Sequence, residues 1–130
     1  NSVGGVAWVW KSNGTTFSSI QNPTSQTYTT GTYTISQIVT SNNGCTATAT
    51  QTVNVYASPT ASITVGTSCQ NANTSFTDAS TSSVGDPITT WSWNFGDGSP
   101  LSTSQNPTHI YTSSGTFTVS LTVNTAHCSG

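Results

Sequence analysis

Charge is almost absent from this chain. Of its 130 residues one is Lys (Lys11), none is Arg, and the only acids are Asp78, Asp86 and Asp97, so that 3% of the chain is charged, against about a quarter in an ordinary globular domain. Nucleic acid and anionic membrane surfaces are gripped by clustered Lys and Arg, which a lone Lys11 does not supply. Long apolar runs are missing as well. None approaches the roughly eighteen residues of a membrane span, and the first residues have neither the basic nor the apolar region of a signal peptide. The sequence begins in mid-pattern, and we expect a segment of a longer secreted protein, with no nucleic-acid partner and no membrane insertion.

Chemistry-bearing sets are scarce for the same reason. His109 and His127 are the only imidazoles, and a nucleophilic triad needs a base, an orienting acid and a nucleophile within mutual reach. No Gly-x-Ser-x-Gly elbow occurs, so catalysis is not expected. A Cys/His zinc site lacks a Cys-x-x-Cys pair. Calcium wants six to eight oxygens, usually from several carboxylates, so Asp97 between two glycines reads better as a turn residue than as a cation ligand. Neither metal nor cofactor is expected. An isopeptide bond from Lys11 needs a nearby acid, and residues 1–77 contain none.

What is present is threonine, serine and alternation. Thr and Ser make up more than a third of the chain and only 32% is hydrophobic, a composition shared with disordered stalks. Against disorder stand four Trp and segments of strict period two. Phe117, Val119, Leu121 and Val123 point one way while Thr116, Thr118, Ser120 and Thr122 point the other. The run Thr46–Thr52 sets four Thr on one face at a spacing of about 6.7 Å. Ice-binding faces are built so, but solvated strand faces rich in Thr are far commoner, because Thr favours extended backbone. We expect strands at Thr60–Val65, Thr74–Asp78, Ile88–Phe95, Gly115–Thr125 and Thr46–Val55.

The chain also repeats itself. Ser2-Val3-Gly4-Gly5 resembles Ser83-Val84-Gly85-Asp86, Trp8-Val9-Trp10 resembles Trp91-Ser92-Trp93, Gln21-Asn22-Pro23-Thr24 resembles Gln105-Asn106-Pro107-Thr108, and Gly31-Thr32-Tyr33-Thr34-Ile35-Ser36 resembles Gly115-Thr116-Phe117-Thr118-Val119-Ser120, at offsets of 83 to 84 residues. A period of one small domain is the mark of a repeat array. We expect the later part of one repeat at residues 1–57 and a second at 58–130 that lacks its last strand, joined through Ala57-Ser58-Pro59. In the first, Trp10 is followed by Lys11-Ser12-Asn13-Gly14, so Phe95 and Asp97 have no clear counterparts, and Gln37 stands where Leu121 stands in the second.

Trp93-Asn94-Phe95-Gly96-Asp97-Gly98, then Asn106-Pro107-Thr108-His109-Ile110-Tyr111, then Gly115-Thr116-Phe117-Thr118-Val119-Ser120-Leu121-Thr122-Val123 resemble the signature of PKD domains, immunoglobulin-like β-sandwiches repeated in extracellular proteins. The resemblance implies an all-β fold of tandem sandwiches, a core Trp at Trp93 and, by the repeat, at Trp10, and a structural role for His109. Trp8 and Trp91, two residues from these on the same faces, are candidates for surface binding at the rim, although core packing is favoured.

Three cysteines leave one unpaired. Cys45 and Cys128 follow equivalent strands 83 residues apart, and Cys69 ends the first strand of the second repeat. We expect a Cys69–Cys128 disulfide, with Cys45 paired outside these residues; its loop of about 60 residues would be worth about 4 kcal/mol. The alternative is three buried thiols. Low charge, Thr/Ser richness and the Asn43-Gly44-Cys45 ending resemble repeats of giant cell-surface adhesins of the Bacteroidota, including those of gliding motility and type 9 secretion. The expected role is a non-catalytic stalk or filament segment at the cell surface, touching neighbouring repeats, surface polysaccharide or other cells. An accessory binding module of a secreted chitinase or protease, and a fibre subunit that exchanges strands, remain alternatives.

Overall fold

The computed structural model describes residues 6–129, so the Ser2–Gly5 segment of the repeat lies outside the described residues. The described residues form nine strands and no helix: β1 (Ala7–Ser12), β2 (Thr15–Ser18), β3 (Gly31–Thr40), β4 (Thr46–Val55), β5 (Ile63–Val65), β6 (Asn73–Asp78), β7 (Ile88–Asn94), β8 (Thr108–Ile110) and β9 (Ser120–Thr125). They divide into two compact units, Asn1–Val55 and Tyr56–Gly130. Every strand pairing is antiparallel.

The first unit is a single sheet in the order β2-β1-β3-β4. Asn13 (φ 48°) and Gly14 (φ 83°) turn β1 into β2; two successive left-handed residues make the two-residue hairpin that follows the twist of its strands. The register sets Trp8, Trp10, Ile35 and Val39 on one face, joined by Ala47 and Ala49 from β4. Thr46, Thr48, Thr50 and Thr52 lie on the other. Among the described residues none of this unit is fully buried. Trp10, expected in the interior, is half-exposed, with Nε1 donating to the Ile20 carbonyl at 3.1 Å. A one-layer sheet has no second layer with which to enclose it.

The second unit has two layers, β5-β6-β8 and β7-β9. Phe76 from β6, Trp93 from β7, Val123 from β9 and the loop residues Phe95 and Tyr111 fill the core, with Trp93 and Val123 completely buried. The alternation read from the sequence holds: Phe117, Val119 and Leu121 pack on this core while Thr116, Thr118, Ser120 and Thr122 are exposed. The final ladder is shorter than expected. Residues 115–119 are not in a ladder, and pairing starts at Ser120 opposite Asn94, because β7 ends there.

Candidate functional site

Gly96 fixes the corner after the aromatic strand. Its φ is +78°, and a Cβ there would sit 2.3 Å from the Thr118 carbonyl oxygen, so both conformation and space demand glycine. Asn94 Oδ1 accepts the Gly96 N–H at 2.9 Å. Asp97 follows, and its Oδ1 accepts from Ser99 N at 3.0 Å and Ser99 Oγ at 2.6 Å. Its Oδ2 lies 2.7 Å from His109 Nε2, with both side chains mostly buried. The bonds from Ser99, then the one shared with His109, hold the Asp97 carboxyl well below the usual carboxylate range.

His109 is presented by β8, and its ring lies flat on Phe95 at 4.1 Å between centroids. Tyr111 meets His109 edge-on at 4.7 Å and stacks on Phe117 at 4.3 Å. The Tyr111 hydroxyl donates to the Phe95 carbonyl at 3.1 Å. Burial, with the Asp97 charge adding to it, raises the Tyr111 phenol above its ordinary value. Asn106 and Pro107 continue the same job: Asn106 Oδ1 accepts the Asp78 N–H and the Pro107 carbonyl accepts the Phe76 N–H, both at 2.9 Å. A proline has no N–H to donate, so it contributes to the ladder through its carbonyl alone.

The signature residues Phe95, Gly96, Asp97, Asn106, Pro107, His109 and Tyr111 are thereby brought together in one bonded corner. Gly98 (φ 82°) has open space around it and Gly115 is exposed, so these two serve the turns rather than the core. Trp91 is half-buried, and Nε1 donates to Asp78 Oδ2 at 2.7 Å. Burial works against the Asp78 charge, yet bonds from Ser80, Trp91 and Gln105 outweigh it and leave its pKa lowered. Trp8 is half-exposed on β1.

A second cluster had no counterpart in the sequence reading. Asp86 is fully buried, accepting from Thr125 Oγ1 at 2.5 Å through Oδ2 and lying 2.8 Å from His127 Nδ1 through Oδ1. Burial opposes its charge, but Thr125 and His127 outweigh that opposition and lower its pKa. The His127 ring stacks on Tyr56 at 4.6 Å. Residues 41 positions apart with no shared motif gave no signal of this contact.

Among the described residues the expected Cys69–Cys128 disulfide does not form, and both residues are free thiols. Cys69 lies in the turn before β6, beside Asn71, which bonds to Tyr111. Cys128 lies beyond Thr125, which pairs with Ile88 at the start of β7. Trp91, three residues into β7, bonds Asp78 at the far end of β6. The two thiols therefore occupy opposite ends of the sandwich, separated by at least the length of β6, about 17 Å at 3.3 Å per residue, whereas a disulfide needs Cα atoms within about 7 Å.

Among the described residues no three His, Cys, Asp or Glu side chains gather as a metal site, and no helix is long and apolar enough to cross a membrane. Fold and corner together define a small antiparallel β-sandwich module of immunoglobulin-like type, built around an aromatic strand and a glycine-aspartate turn. The chain belongs to the PKD domain family, whose model matches residues 56–129. It is also similar to Collagenase ColA of Bacillus cereus, at 45% identity over 53 residues, 41% of this chain. The match spans 5% of that protein.

Proposed function

We propose that this chain is a non-catalytic structural segment of a larger secreted, cell-surface protein, a stalk or filament piece made of successive sandwiches. One observation carries the reading. All three carboxylates and both imidazoles are engaged in bonds within the second unit: Asp78 with Ser80, Trp91 and Gln105, Asp86 with Thr125 and His127, and Asp97 with Ser99 and His109. Groups so occupied order the fold, and in both Asp–His pairs the carboxylate is held by bonds inside the unit. The repeat of about 84 residues supports an array, and so does the register. Trp10 faces Gln37 and Trp8 faces Val39, just as Trp93 faces Leu121 and Trp91 faces Val123. Partners in this reading are neighbouring repeats and, at the surface, polysaccharide or other cells; the adhesin of Bacteroidota type is its finest form.

The similarity to Collagenase ColA favours a second reading, an accessory module beside a secreted hydrolase. Incubating the 130-residue chain with fibrillar collagen, chitin and other insoluble polysaccharides separates the two. A spacer stays in the supernatant at every concentration. Saturable binding that Trp91→Ala or Trp8→Ala abolishes, with the fold retained, would replace the stalk with the accessory module.

A further inference from the structure

An edge strand carries unpaired main-chain groups that invite a further strand unless the edge is short, charged, bulged or broken by proline. Several edges here are blunted in these ways. β2 has four residues and joins β1 across a bulge. β5 has three residues, and β8 also has three and follows Pro107. The outer side of β7 is partly covered by Ser102, which exchanges two bonds with Trp93. β4 is built differently. It is the outer strand of the first sheet, ten residues long from Thr46 to Val55, with neither a charge nor a proline in it. Lys11 lies on β1, with β3 between it and β4. Among the described residues no strand pairs with the other side of β4.

The ladder fixes which groups that edge presents. Thr34 gives its N–H to Asn13 Oδ1 at 2.8 Å and accepts from Asn13 N at 2.9 Å, both on the β1 side. Main-chain direction alternates along a strand, so Tyr33, Ile35 and Gln37 bond β4 through Val53, Gln51 and Ala49. Ser41 N, donating to the Cys45 carbonyl at 2.8 Å, continues the same alternation. The N–H and C=O groups of Thr46, Thr48, Thr50, Thr52 and Asn54 therefore point outward from the sheet. These residues are all exposed.

We propose that β4 is a self-pairing edge, and that its occupant is β4 of a second copy of this chain, antiparallel about a two-fold axis. With the axis at Thr50, Thr46 meets Asn54 of the second copy, Thr48 meets Thr52 and Thr50 meets Thr50, so each outward group finds a bond. On that face hydroxyl side chains stand opposite hydroxyl or amide ones, and cross-strand Thr pairs stabilise a ladder. On the other face Ala47 meets Val53 and Ala49 meets Gln51, a small side chain against a larger one each time. The strand is thus complementary to itself, as a two-fold interface requires, and it carries no charge to repel an identical edge. A foreign strand would meet the same main-chain groups without this matching of side chains. The pairing joins two copies side by side in one continuous sheet, whether the chain is a spacer or an accessory module.

Sedimentation velocity of the whole 130-residue chain, in reductant and from micromolar to millimolar concentration, tests the pairing. A reversible equilibrium between monomer and dimer is expected. Thr50→Pro removes an N–H that faces away from β3 and so spares the first sheet. It should raise the dimer dissociation constant about tenfold or more, the worth of the two main-chain bonds lost at the axis. Thr48→Lys with Thr52→Lys sets like charges opposite each other across the axis and should also weaken the dimer. Thr48→Lys with Thr52→Asp sets opposite charges there and should restore it. A chain that stays monomeric at millimolar concentration, a dimer indifferent to Thr50→Pro, or equal strength of the two double variants would each overturn the proposal.

Discussion

Gly96 is constrained twice over, by a left-handed backbone and by the Thr118 main chain against it. Gly96→Ala brings a methyl against the Thr118 carbonyl in a left-handed backbone, and a loss of about 2–4 kcal/mol is expected in urea unfolding. Gly98→Ala, at the same backbone angle but in open space, should cost only about 1 kcal/mol. Equal losses at the two positions would show that the close approach to Thr118 is not what constrains Gly96. The three aspartates make a second prediction. Asp97, Asp78 and Asp86 all have lowered pKa values in the fold, so the unfolded chain takes up their protons first as pH falls. Their contribution is full above the ordinary carboxylate pKa of about 4 and drains away below it. Melting temperatures taken from pH 7 to pH 2 should fall steeply below about pH 4, and Asp97→Asn should make that fall shallower; an unchanged slope would remove Asp97 from the account. The thiols make a third: alkylation without reductant should label Cys69 and Cys45 within minutes. A species in which Cys69 and Cys128 resist alkylation together and are released by reductant would restore the disulfide.

At the scale of elements the two tryptophan strands are not equals. Trp93 is sealed between two layers, with Nε1 bonded to the Ser104 carbonyl at 2.9 Å, and Trp93→Ala should cost about 3–5 kcal/mol. Trp10 lies on a single sheet, and Trp10→Ala should cost well under half of that; similar costs would mean that the first unit encloses its Trp as well. The strands were legible because alternation and tryptophan spacing are local properties of the sequence. The start of β9 was not, since ladder pairing depends on where β7 ends, at Asn94, rather than on Gly115–Val119 themselves. The Asp97–His109 pair was half legible, its members falling in one signature but their bond nowhere in it. The Asp86–His127 pair was invisible, because only tertiary folding joins residues so far apart. The disulfide was misread because repeat spacing aligns Cys45 with Cys128 but says nothing of which end of the sandwich Cys69 occupies.

For the molecule as a whole, the second unit concentrates the stabilising contacts. Its core, the bonded corner of Asp97 and His109 and the buried Asp86 belong to one compact unit, Tyr56–Gly130. Charge is so scarce that salt should matter little to its stability. A structural segment acts by resisting extension, so the most direct measurement is single-molecule pulling on the 130-residue chain held at its two ends. The account predicts that the second unit opens in one all-or-none step releasing roughly 25 nm of chain, at about 3.5 Å per residue, and that Gly96→Ala lowers the force of that step. Gradual lengthening at low force, with no discrete event of that size, would contradict a structural role for this sandwich.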